Sequence, residues 1–145
     1  MLELARQCGV NHFQYISTAY VCGKRDQVVL ESELDVEQEF RNVYEVSKFE
    51  AEKLVRASDC FETITVYRPG VVVGDSETGY TSTYHGLFLY LRLFAMLVPE
   101  QKRNEQGLFE TSIRLPMDGD EPRNLVPVDW LAKTIAHLTL SLIHI

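Results

Sequence analysis

Asn42-Val43-Tyr44-Glu45-Val46-Ser47-Lys48-Phe49-Glu50-Ala51-Glu52 begins with a helix signal, because Asn42 followed three residues later by Glu45 fits a capping box. From Val43 to Ala57 the chain is rich in the helix formers Glu, Lys, Ala and Leu. A helix there places Tyr44 and Lys48 one turn apart on one face, with Cβ atoms about 5–6 Å apart. An ammonium ~6 Å from a phenol, at an effective dielectric near 20, favours the phenolate by about 2.8 kcal/mol. A tyrosine so placed donates a proton to a developing alkoxide or takes one from an alcohol, which is the proton half of a hydride transfer. Spacing alone carries little weight. Seven tyrosines and five lysines in 145 residues give 7 × 5/145, or about 0.24, chance Tyr-x-x-x-Lys matches, and a Tyr and a Lys on a solvated helix are the plainer reading.

Working outward, Phe13 to Ser17 alternates aromatic and β-branched residues as a strand does and runs into Ser17-Thr18-Ala19-Tyr20. A hydroxyl at the carboxyl end of a parallel strand lies where α/β sheets bind ligands, so Thr18 is a candidate to hydrogen-bond a substrate carbonyl, although a threonine at a strand end is more often a turn or cap residue. The loop that follows carries Lys24 and Arg25 and then Glu31, Glu33, Asp35, Glu37 and Glu39, read as a solvated rim rather than a metal site. Thr63 to Tyr67 forms the next strand, broken at Arg68-Pro69-Gly70 before Val71 to Gly74 resumes an extended run. A polar loop from Asp75 to Tyr84 leads into an apolar helix, Gly86 to Val98, interrupted by Arg92. It is too short for a membrane span of about 20 residues and reads as a buried helix or one lining an apolar substrate pocket. Pro99 to Gly107 reads as a surface loop, Ile113-Arg114-Leu115 as a short strand and Asn124 to Val128 as an edge-like strand. Asp129 then caps a helix carrying Trp130, Leu131, Ile135 and Leu138. A first helix containing Leu2, Leu4 and Ala5 precedes all of this and ends at Gly9. Strands alternating with helices imply an α/β fold with a mainly parallel sheet.

At 46% apolar and 24% charged, 145 residues are one domain's worth of globular chain. Fourteen basic against twenty-one acidic residues give a net charge of -7, the wrong sign for binding nucleic acid through its phosphates. Cys8, Cys22 and Cys60 are odd in number and lack zinc-knuckle spacing, which implies reduced thiols and a cytoplasmic protein. Glu3 and Arg6 break any signal peptide. His137 has no second ligand at helical spacing and His85 reads as a surface or capping residue near a pocket mouth, so no metal site is expected.

Three runs carry a family likeness: His12 to Gly23, Asn42 to Glu52, and Tyr67-Arg-Pro-Gly-Val-Val-Val-Gly74. In order, spacing and context they resemble the extended short-chain dehydrogenase/reductases, and Asn124 to Trp130 resembles a later segment of that family, so the likeness reaches Leu138. The resemblance implies a doubly wound parallel-sheet Rossmann fold and an NAD(P)H-dependent oxidoreductase. Position by position, it implies that Thr18 is the active-site Ser/Thr and Tyr44 the acid/base. Lys48 then favours the phenolate and holds the nicotinamide ribose, and Pro69, Gly70 and Val71 pack beside the nicotinamide. The Ser-Thr-Ala-Tyr-Val run and the Tyr-Glu-x-Ser-Lys-Phe-Glu-Ala-Glu helix are most similar to the thioester-reductase and fatty-acyl-reductase, male-sterility-type branch. That branch implies a carrier- or CoA-bound acyl substrate reduced to aldehyde or alcohol, with NADPH favoured over NAD.

One departure qualifies the likeness. Family members begin with a strand and a glycine-rich turn that holds the pyrophosphate, whereas the eight glycines here include no Gly-x-Gly-x-x-Gly. Residues 1–139 are therefore expected to be the C-terminal part of the Rossmann domain, with part of the small substrate-binding region. On its own such a piece is expected to be inactive, to bind dinucleotide weakly and to expose a sheet edge. Leu140 to Ile145 is expected to be foreign, the translation of a transposase recognition end, CTG TCT CTT ATA CAC ATC, used in sequencing libraries. Two other functions fit the same residues: a nucleotide-sugar epimerase or dehydratase with tightly held NAD, and a non-catalytic cofactor-binding scaffold. The convergence of Thr18, Tyr44 and Lys48 weighs against the scaffold.

Overall fold

The computed structural model describes residues 1–82, 84, 86–98, 102–108, 120 and 122–143. A short helix α1 (Leu2–Gln7) leads into strand β1 (His12–Ile16). After a 3-10 turn (Ala19–Cys22) and a long loop comes helix α2 (Val43–Arg56), which returns the chain to strand β2 (Thr63–Tyr67). β1 and β2 pair in parallel, from His12 opposite Thr63 to Ile16 opposite Tyr67. Parallel neighbours need a crossover, and α2 supplies it. Phe13 stacks on Phe61 at 4.7 Å at the entry side of this β-α-β unit.

α2 starts where its sequence says it should. Asn42 is extended and its side-chain oxygen accepts the Glu45 amide at 3.0 Å, while the Glu45 carboxylate reaches back to the Arg41 amide at 2.9 Å. The box therefore closes one residue earlier than its usual form. The helix turns Glu45, Phe49, Glu52 and Val55 inward, and Phe49 meets Phe40 at 4.9 Å.

Pro69 has no amide to donate, so the chain breaks after β2 and resumes as strand β3 (Val71–Val73), parallel to strand β4 (Leu125–Pro127). Between them lies helix α3 (Leu87–Leu97), and β4 passes directly into helix α4 (Val128–Ile143). Asp129 thus lies inside the first turn of α4 and does not cap it. Its carboxylate is taken by the amide and hydroxyl of Ser76, both at 2.9 Å, and this fastens the loop after β3 to α4. α4 continues unbroken through Leu140 to Ile143. The expected strand at Ile113 to Leu115 and the candidate His85 lie outside the described residues.

The acidic loop is more than a solvated rim. Glu33 pairs with Arg25 at 2.8 Å, Asp35 with Lys53 at 2.7 Å and Glu39 with Lys24 at 3.2 Å. Its neck is closed by the Lys24 amide on the Glu39 carbonyl at 2.8 Å and by Arg41 on the Gly23 carbonyl at 2.7 Å. Gly23 there has φ +67° and sits too close to the Glu39 backbone to admit a side chain.

Among the described residues, the buried centre combines Val21, Phe49 and Val55 with the polar side chains of Ser17, Thr18, Glu45 and Glu52. No described helix is long and apolar enough to cross a membrane. The parallel strand pairs and their helical crossovers form a partial Rossmann-like α/β fold.

Candidate active site

A cavity of about 510 Å³ opens at the carboxyl ends of β1 and β2. The end of β1 contributes Ile16 to Thr18, α2 contributes Tyr44 and Lys48, and the turn from β2 into β3 contributes Pro69, Gly70 and Val71. All six residues singled out from sequence therefore line one cavity, though they come from three separate stretches of chain.

Thr18 is extended and caps the 3-10 turn, its oxygen accepting the Tyr20 amide at 3.3 Å. Its hydroxyl donates to the Pro69 carbonyl at 3.5 Å, and the same carbonyl accepts the Ala19 amide at 2.9 Å. The second bond is firm, while the first is at the outer limit of a hydrogen bond.

Lys48 is held at the tip of β1, where its ammonium donates to the Ile16 carbonyl at 3.1 Å and lies 5.5 Å from the Tyr15 ring centre. Burial, with the charge of Glu52 and the neighbouring Tyr44, pushes the Tyr15 phenol up. Tyr15 stays neutral under the ammonium, so it does not consume the Lys48 charge. Tyr44, one helical turn before Lys48, is 57% exposed at the cavity wall.

Gly70 is required by close approach. A Cβ there would lie 2.5 Å from the Asn124 side chain, while Asn124 also accepts the Val71 amide at 2.8 Å. A side chain at residue 70 would push this wall off β4.

Behind the cavity stands a group to which the sequence reading gave no role. Glu52 has no solvent exposure. Its carboxylate accepts the Ser17 hydroxyl at 2.6 Å, Arg68 Nη2 at 2.7 Å and Arg56 Nε at 2.9 Å. Burial pushes this carboxyl up, but the Arg68 and Ser17 hydrogen bonds and the charges of Arg68 and Arg56 outweigh it and hold the group below its ordinary value. A signal was present in the sequence: Glu52 extends the Tyr44–Lys48 stripe by one more turn, and Ser17 and Arg68 immediately precede Thr18 and Pro69.

The donor set fits one end of a nicotinamide dinucleotide. An ammonium and a phenol suit ribose hydroxyls, and Pro69 and Val71 offer apolar surface to a flat ring. The fit stops at that end, since the chain has no glycine-rich turn for the pyrophosphate.

Comparison with curated proteins and with solved structures finds no match. A family model described as male sterility protein matches residues 1–135. That match spans nearly the whole chain, and by it the chain belongs to the male sterility protein family, NAD-binding domains of the extended short-chain dehydrogenase/reductase type and hence NAD(P)-dependent oxidoreductases.

Proposed function

We propose that the cavity is the catalytic half of an NAD(P)H-dependent reductase acting on an acyl thioester, with Thr18, Tyr44 and Lys48 as its working groups. The observation that carries this reading is the convergence of a hydroxyl, a phenol and an ammonium on one cavity beside the apolar Pro69–Val71 wall. When bound, the nicotinamide supplies hydride to the substrate carbonyl carbon. Thr18 and Tyr44 hydrogen-bond the carbonyl oxygen, Tyr44 delivers the proton as charge develops there, and the hemithioacetal so formed yields the aldehyde as its C–S bond breaks, the hydroxyl proton leaving with the thiol. Because the Thr18 hydroxyl spends its proton on a long 3.5 Å contact, redirecting it to a substrate oxygen costs little. An ammonium has three N–H donors, and Lys48 commits one to the Ile16 carbonyl. The others serve the ribose, while the positive charge stabilises the phenolate that Tyr44 becomes. Pro69 and Val71 keep water from the reacting face.

The thioester is supported by the likeness of the two motif runs to the thioester- and fatty-acyl-reductase branch, and NADPH as reductant rests on the same likeness. The test is Tyr44→Phe in a chain extended by the glycine-rich half that the family resemblance implies, followed by NADPH consumption with a fatty acyl-CoA. Turnover is expected to fall about 100-fold or more with dinucleotide affinity retained. Undiminished turnover would refute the role of Tyr44, and turnover of a UDP-sugar with retained NAD would replace the reductase by an epimerase.

A further inference from the structure

Glu52 touches neither the cavity nor solvent, yet its carboxylate joins all three stretches that build the cavity. It sits on α2, one turn beyond Lys48 and two beyond Tyr44. It accepts the hydroxyl of Ser17, the residue before Thr18, at 2.6 Å. It also accepts Arg68, the residue before Pro69, through Nη2 at 2.7 Å and Nε at 3.1 and 3.2 Å to its two oxygens. Ser17 itself lines the cavity and Arg68 is one peptide from Pro69, so a shift of either carries Thr18 or Pro69 with it.

We propose that Glu52 is a positioning residue for the site. It braces the Thr18 end of β1 against the Pro69–Gly70 turn and ties both to the helix that carries the phenol and the ammonium. The proposal rests on the functional reading of the cavity given above. Without the brace, two backbone bonds hold these ends together beyond the paired strands: the Ser17 amide on the Tyr67 carbonyl at 2.8 Å and the Ala19 amide on the Pro69 carbonyl at 2.9 Å. The Thr18 hydroxyl, with its long bond to that same Pro69 carbonyl, moves with any change in their spacing. Both guanidiniums are pinned in turn, Arg68 by the Glu33 carbonyl at 2.9 Å and Arg56 by the Glu31 and Ser32 carbonyls at 3.2 and 3.3 Å. The brace is therefore anchored at its far side as well.

The experiment compares Ser17→Ala, Arg68→Lys and Glu52→Gln in that same extended chain by two measurements. One is amide hydrogen exchange at residues 17 and 19, and the other is kcat and KM with NADPH and a fatty acyl-CoA. Ser17→Ala is expected to speed exchange at residues 17 and 19 about tenfold relative to the middle of β1, and to lower kcat by a similar factor with KM for NADPH unchanged. Arg68→Lys keeps the charge but loses the fork and is expected to act in the same direction. The Ser17→Ala, Glu52→Gln double variant is expected to be no slower than Glu52→Gln alone, because both changes cut one link. If Glu52→Gln fails to fold, the other two variants, which keep the carboxylate, decide the matter. Wild-type exchange at residues 17 and 19 in both of them overturns the brace, and faster exchange with wild-type kcat overturns its positioning role. If the unmutated extended chain does not turn over acyl-CoA, the substrate reading fails, and the exchange data still decide the brace.

Discussion

Glu52 keeps its negative charge out of contact with water because two guanidiniums and a hydroxyl replace its hydration. A carboxyl held below its ordinary value in the folded chain takes up protons more readily once unfolded. Its contribution to stability is therefore fully present above the ordinary glutamate range and is lost as pH falls through the lowered folded value. Denaturant midpoints are expected to drop on acidification through that range, and Glu52→Gln is expected to flatten this dependence. The variant is also expected to lower stability at neutral pH by roughly 1–3 kcal/mol, since Arg68 and Arg56 keep backbone carbonyl partners and part of their solvent. At this scale, the meeting of Tyr44, Lys48 and Thr18 on one cavity was legible because helix spacing and a strand end place them, while the roles proposed for them came from the family resemblance. The role of Glu52 was not, because its strongest partner lies sixteen residues away on another element, and sequence separation says nothing about who fills the space behind a helix.

α2 is the element on which the site depends, and its register is set by its first turn. Asn42→Ala is expected to remove the bond to the Glu45 amide and cost about 1 kcal/mol, seen as a lower denaturant midpoint. Tyr44 is only the second residue of this helix, so fraying there is expected to lower kcat more than it lowers dinucleotide affinity. The start of α2 was readable because capping is local chemistry, and the span of β2 because β-branched residues are bounded by a Pro-Gly break. The start of α4 was misjudged because Asp129 looks like a cap until Ser76, fifty-three residues earlier, is found to occupy its carboxylate. The acidic loop was underestimated for a related reason. Its partners Lys53, Arg56 and Arg68 belong to later elements, and their pairing depends on the crossover bringing α2 back over the loop.

Across the whole molecule, the alternation of strands and helices made the parallel α/β class readable, but the composition of its centre could not be read from periodicity. Surface–mass scaling gives a compact protein of 16.6 kDa roughly 7,600 Å² of accessible surface. This chain exposes 11373 Å², with Leu89, Tyr90, Leu93 and Met96 of α3 among the exposed apolar side chains. Among the described residues, the fully enclosed apolar side chains are few, Val21, Phe49 and Val55, and they sit beside Ser17, Thr18, Glu45 and Glu52. That balance has a thermal signature. Exposing apolar groups on unfolding raises the heat capacity and exposing polar ones lowers it. Scanning calorimetry is therefore expected to give an increment below the usual ~12–15 cal/mol/K per residue, and a stability curve correspondingly flat with temperature.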